Sequence, residues 1–155
     1  MNPTQSLPQP SLSQQIVVID DHEMILDGVV NLLKTKYPDA AVRVAQTRQA
    51  GQELIDSLTP SLVVMDLAIP ERTGSKPLAE SGVGLIEALL RQYPTLNIAV
   101  LSANTNPLVR LKPQIDNHEG GFTVSDKGWV AESILQKVNM ALARLYPSRL
   151  RSTRG

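Results

Sequence analysis

Five short apolar runs, alternating with stretches of helical spacing, constrain the fold of this chain more than any other feature. The runs cover residues 16–20, 42–46, 62–66, 98–102 and 121–125. Between and after them, apolar residues recur at the helical period. They are Ile25, Val29, Leu32 and Leu33; Ala50, Leu54 and Leu58; Val83, Ile86, Leu89 and Leu90; then Ala131, Ile134, Val138, Ala141 and Leu145. That alternation is the signature of βαβ units around a mostly parallel sheet. Residues 104–118 make poor helix material. Pro107 suits a first turn, but Pro113 removes a backbone donor and biases Lys112 away from helical angles. A short, kinked or partly frayed helix is predicted there.

The runs also suggest their order in the sheet. IVVI, LVVM and IAVL are nearly all apolar, as strands covered on both faces should be. Val42-Arg43-Val44 and Phe122-Thr123-Val124 alternate, which suits half-exposed edge strands. With the second and fifth runs outside, the fit is an α/β, doubly wound, five-stranded parallel sheet in the flavodoxin-like order 2-1-3-4-5.

Composition narrows the function classes. Fifteen basic residues balance fifteen acidic ones, so no global field favours nucleic acid or an anionic membrane. The chain has no cysteine, which excludes a disulfide framework and thiolate metal sites. No apolar run approaches the ~20 residues that span a bilayer, and a cytoplasmic protein is expected. Residues 1–14 are rich in Pro, Gln and Ser and read as a disordered tail. Residues 15–146 form the predicted domain, and 147–155 a basic tail or the start of a linker, with Arg149, Arg151 and Arg154.

In an open α/β sheet, ligands bind beyond the carboxyl ends of the strands, near the reversal of strand order. There this sequence places Asp20 and Asp21 after strand one, Asp66 after strand three, Ser102 after strand four and Lys127 after strand five. Neighbouring strands lie about 4.8 Å apart, so Asp66 sits one strand from Asp20 and one from Ser102. Two carboxylates about 5 Å apart repel by on the order of 3 kcal/mol at an effective dielectric near 20. Either one protonates or a cation occupies the site. All-oxygen ligands with room for water suit Mg²⁺. Zinc is disfavoured, because the histidines are only His22 and His118. A carboxylate can attack phosphorus to form an aspartyl phosphate, and a cation, a lysine, a hydroxyl and loop amides would stabilise the transferring oxygens.

Each residue also has a plainer role open to it. An Asp-Asp pair can cap a helix, Asp66 can form a turn, Ser102 can cap the next segment, and Lys127 can be a solvated surface lysine. Their joint appearance at the ends of the expected strands favours the shared site.

Residues 16–145 resemble a response-regulator receiver domain. IVVIDDHEMILDGVVNLL opens the match, LVVMDLAIP supplies the acceptor segment and VLSA the hydroxyl segment. The opening Asp20-Asp21-His22, with Gly28 and Leu32-Leu33, looks like the NarL/FixJ-type branch. The resemblance implies a phosphorylation-controlled switch rather than an enzyme, with Asp66 as phosphoacceptor for a histidine kinase or phosphotransfer protein. It implies that Asp20, Asp21, Asp66 and the Ala68 backbone carbonyl hold Mg²⁺, that Ser102 moves toward the phosphoryl group and that Lys127 pairs with it. It is compatible with a homodimer and with the regulatory part of a transcription factor, whose DNA contacts would come only from a domain absent from this chain.

Three features depart from the family pattern. The family lysine lies three residues after the strand-five aromatic, a position that Ser125 fills here; Lys127 requires a two-residue insertion. Phe122 stands at the switching aromatic and carries no hydroxyl. Residues 71–81 lengthen the loop after Asp66, either to shield the site or contact the kinase, or as a tolerated surface insertion. The rival readings are a Mg²⁺-dependent aspartyl phosphatase, a flavin or nucleotide carrier, and a stand-alone or phosphorylation-independent pseudo-receiver. The phosphatase lacks the second acid two residues after its nucleophile, where Ala68 stands. The carrier would have to tolerate Asp20-Asp21-His22-Glu23 beside a phosphate.

Overall fold

In the computed structural model, which describes residues 14–125 and 131–144, the five runs form five strands. They are β1 (Gln15–Ile19), β2 (Ala41–Ala45), β3 (Leu62–Met65), β4 (Asn97–Leu101) and β5 (Phe122–Ser125). The helices are α1 (Glu23–Lys36), α2 (Arg48–Leu58), α3 (Ala79–Gln92), α4 (Lys112–Asn117) and α5 (Ala131–Leu142), with a 3-10 turn over Asn106–Leu111 before α4. All strand pairs are parallel, in the order β2-β1-β3-β4-β5. The doubly wound, flavodoxin-like architecture is as expected.

Two cores follow from the pleat, which sends successive side chains to opposite faces. Val17, Ile19, Val63, Met65, Ile98 and Val100 pack with Ile55 of α2, with Val83, Ile86 and Leu89 of α3, and with Ile115 of α4. Ile16, Val18, Leu62, Val64, Ala99 and Leu101 pack with Leu26, Val29 and Leu33 of α1 and with Ile134, Val138 and Ala141 of α5. The three central strands are buried along nearly their whole length, which is why they carry no polar alternation.

The edges differ from each other. β2 is half-exposed as expected, with Val44 open to solvent. β5 is not: Phe122, Thr123 and Ser125 are all buried. Thr123 tolerates burial because its hydroxyl donates to the Lys137 carbonyl of α5 at 2.8 Å, so its polarity marks a helix contact, not a wet face.

Between β4 and β5 the chain is kinked, as the prolines predict. Pro107 opens the 3-10 turn and Pro113 opens α4, each in a first turn where its missing N–H costs little. Lys112, expected away from helical angles, is helical (φ −54°, ψ −44°). The kink falls at Leu111–Lys112, where one short helix hands over to the next. The last helix ends at Leu142, short of the helical spacing that the sequence carries through Leu145, and Arg144 turns the backbone left-handed (φ 62°).

The long loop after β3 closes on itself. Ile69 and Leu78 form an antiparallel bridge, with the Leu78 amide donating to the Ile69 carbonyl at 3.1 Å. Gly74 takes the positive φ (90°) that its turn requires. The Arg48 and Gln49 amides of α2 donate to the carbonyls of Pro70 and Glu71 at 2.9 and 3.1 Å, and Glu71 pairs with the Arg48 guanidinium at 3.6 Å. The loop thus serves orphan amides at the start of α2, beside the Thr47 hydroxyl, which accepts from the Ala50 amide at 3.0 Å. Residues 79–81, expected within the loop, are the first turn of α3.

Candidate functional site

Strands β1 to β4 each stop one residue before the end of their apolar runs, so Asp20, Asp66 and Ser102 stand on the first loop positions, whereas β5 runs to Ser125. The register pairs Ile19 with Met65 and Met65 with Val100, which brings Asp20 and Asp66 out level on adjacent strands, with Ser102 on the next. Backbone hydrogen bonds fix these positions. The Asp20 amide donates to the Ala45 carbonyl, the Asp66 amide to Ile19 and the Ser102 amide to Ser125, each at 3.1 Å.

Asp20 is only 1% exposed. Its Oδ1 accepts the His22 amide at 2.8 Å and lies 3.0 Å from His22 Nδ1, while its Oδ2 is buried without a hydrogen bond. Asp21 Oδ1 is 3.2 Å from the same His22 nitrogen. The donor atoms of Asp20, Asp21 and His22 lie within 4.8 Å of one another. Burial raises the Asp20 carboxyl above its ordinary range, against the opposing pull of the His22 amide and ring. The His22 imidazole is raised in turn, first by its hydrogen bond to Asp20 and then by the Asp21 charge.

Asp66 lies outside that tight triad but within its field. Burial first, and the Asp20 charge second, push the Asp66 carboxyl from 3.8 up to about 6, although the Ala68 and Leu67 amides and the Ser102 hydroxyl favour its charged form. The Ser102 hydroxyl, the smallest of these influences, also donates to the Asn104 carbonyl at 3.2 Å and accepts the Asn104 amide at 3.4 Å. Ala68 is exposed at the rim.

A buried Asp20 with an unpartnered oxygen, close to Asp21 and to an Asp66 whose charging is penalised, offers the donor chemistry of a cation site. The hard oxygens of Asp20, Asp21 and Asp66 fit Mg²⁺. Lys127 lies outside the described residues, so the choice between it and Ser125 turns on Ser125. That side chain is buried at the end of β5 with its hydroxyl 2.8 Å from the Ser133 hydroxyl of α5.

Sequence reasoning missed two contributors. His22 enters the sequence reading as a poor zinc ligand and as part of the family's opening segment, and its place beside two acids is the signal that could have added it to the pocket. Gly82 of α3 passes so close to the loop after Asp66 that a Cβ there would lie 2.1 Å from the Leu67 carbonyl oxygen. A contact between residues so far apart in sequence leaves no local trace.

Comparison with known proteins agrees with this geometry. The response regulator receiver domain family model matches residues 16–112. The transcriptional regulatory protein DegU of Brevibacillus brevis is 28% identical over 88 residues, which are 57% of this chain and 34% of that protein. The nitrate/nitrite response regulator protein NarL of Escherichia coli K12 is 36% identical over 63 residues, 41% of this chain and 29% of that protein. The chain therefore spans about a third of the length of the curated relatives it matches. These relatives are of the branch that the opening segment resembles. Among solved structures, the non-phosphorylated receiver domain of the stress response regulator RcsB from Escherichia coli has a TM-score of 0.59 at 24% identity, covering 86% of this chain and 98% of that one. The chemotaxis response regulator CheY4 of Vibrio cholerae has a TM-score of 0.62 at 16% identity, covering 81% and 96%. Both share the fold.

Proposed function

Because this chain belongs to the response regulator receiver domain family, we propose that it is a phosphorylation-controlled switch whose acceptor is Asp66, charged by a histidine kinase or phosphotransfer protein. The observation that carries this reading is the convergence of Asp20 and Asp66 at level positions of adjacent strands, with Ser102 one residue further along the next strand and the Asp66 carboxyl pushed up to about 6.

In the proposed reaction an Asp66 carboxylate oxygen attacks the phosphorus of the donor as the bond from phosphorus to the donor's nitrogen breaks. The Leu67 and Ala68 amides already point at the carboxylate and would face the transferring oxygens, where fixed donors stabilise developing charge. Ser102 would exchange its Asn104 contacts for a phosphoryl oxygen, and Lys127 would pair with another. Asp20, Asp21, Asp66 and the Ala68 carbonyl would hold Mg²⁺, which when bound supplies the positive charge that lets three acids and a phosphoryl group share one pocket.

The output we propose is transcriptional, by likeness to the DegU and NarL regulators, with DNA contacts in a domain beyond this chain, in a cytoplasmic setting and with homodimerisation as a further step. The switch element would be residues 104–118, which follow soon after Ser102 and hold a 3-10 turn and one short helix. We place the domain at 15–146, between the tails 1–14 and 147–155. Among the described residues no helix is long and apolar enough to cross a membrane.

Intact mass after treatment with acetyl phosphate and Mg²⁺ tests the reading. One phosphoryl group should add to the wild type and none to Asp66→Asn. A wild type that gains no mass under conditions where it binds Mg²⁺ would leave the pseudo-receiver reading in its place.

A further inference from the structure

His22 faces the acidic pocket with a nitrogen, and nothing in the phosphoacceptor chemistry requires it there. Its Nδ1 lies 3.0 Å from Asp20 Oδ1 and 3.2 Å from Asp21 Oδ1. An octahedral ion with bonds of about 2.1 Å separates adjacent ligands by about 3.0 Å. The two observed spacings therefore match two edges of one coordination octahedron. The Asp20 side chain is all but fully buried, and its Oδ2 has no hydrogen-bond partner, so it has capacity for a ligand beyond the contacts within the triad. The His22 side chain is 63% exposed and sits at the N-cap of α1 without a capping hydrogen bond. The ring does not cap the helix; its contacts are with the two acids, and a neutral ring can carry its proton on Nε2 and offer Nδ1 to an ion.

We propose that His22 is a metal ligand of this pocket and gives it a preference for six-coordinate ions that accept imidazole, such as Co²⁺ and Mn²⁺, over Mg²⁺. Imidazole nitrogen suits these borderline ions, whereas Mg²⁺ binds oxygen and keeps its waters. Asp20, Asp21 and His22 would supply one face of the octahedron, and the remaining positions stay open to water, Asp66 and a phosphoryl oxygen. Among the described residues no second histidine joins the group, which favours a six-coordinate ion over tetrahedral zinc. The inference rests on the reading of Asp20 and Asp21 as cation-holding residues.

Calorimetric titration of the full chain with Co²⁺ and with Mg²⁺ tests it, comparing wild type with His22→Ala and His22→Gln. In both variants Co²⁺ should bind roughly tenfold or more weakly, with Mg²⁺ binding changed less than about threefold. The Co²⁺-loaded wild type should also show a strongly shifted, exchangeable ring N–H proton resonance that both variants lack. Equal losses for the two ions, or no loss for Co²⁺, would overturn the ligand role while leaving the cation pocket standing. If neither ion binds the wild type, the cation pocket itself fails, and this inference fails with it.

Discussion

Gly82 of α3 lies against the Leu67 carbonyl so closely that even a methyl group would sit 2.1 Å from its oxygen. The obstacle is backbone, so the helix or the loop after Asp66 must move to admit a side chain. Gly82→Ala should therefore cost about 1–3 kcal/mol of stability, as overpacking generally does, and should displace the Leu67 and Ala68 amides from Asp66. Denaturant unfolding gives the first quantity, and the rate of phosphoryl uptake from acetyl phosphate gives the second. Full stability with an unchanged rate would contradict the close packing.

The raised carboxyl of Asp66 has a definite sign for stability. Its proton is bound more tightly in the folded chain, so this contribution is fully present below pH 3.8 and is lost as pH rises toward about 6. Above that, the metal-free protein bears a cost of at most about 3 kcal/mol. Asp66→Asn should be more stable than wild type at pH 7.5 without Mg²⁺, and the gap should close by pH 4. Urea titrations at the two pH values measure it. A gap of the same size at both would contradict the cost assigned to charging.

His118 titrates with the opposite consequence. Burial lowers its imidazole below the ordinary 6.5, while its Nε2 lies 2.6 Å from the Leu96 carbonyl. As pH falls through 6.5 the unfolded chain takes up a proton that the folded chain resists, and stability is lost. Between pH 7.5 and 5.5 the wild type should lose more stability than His118→Gln. Parallel losses would remove His118 from the account.

Amide exchange distinguishes the switch segment from its neighbours. The 3-10 turn and α4 each hold only a turn or two of hydrogen bonds, whereas α5 spans twelve residues over a continuous core. Amides within 104–117 should exchange markedly faster than those of 134–141. Ser102→Ala, which frees Asn104 from the hydroxyl, should speed the first of them further. Protection equal to that of α5 would argue against a loosely held element.

Much of this was readable before folding because the signals were local. Apolar runs that ended in Asp20, Asp66 and Ser102 gave both the strands and the edge of the site, since a parallel sheet brings strand ends to one rim. What failed was non-local. Thr123 read as exposed because its partner carbonyl belongs to Lys137, fourteen residues later. Lys112 read as extended from the following Pro113, yet it is held helical where the 3-10 turn meets α4. His22 stood in plain view beside its acids, but only the folded turn aims Nδ1 at both of them.

The bridge between Ile69 and Leu78 has a practical consequence. Because the strands of that small clasp meet at its base, the residues from 72 to 77 form an excursion set off from Asp66 a few positions upstream. Such a closed spur can take a graft, such as an epitope or a fluorophore-bearing cysteine in a chain that has none of its own. A reporter there would ride beside the acidic pocket without entering it.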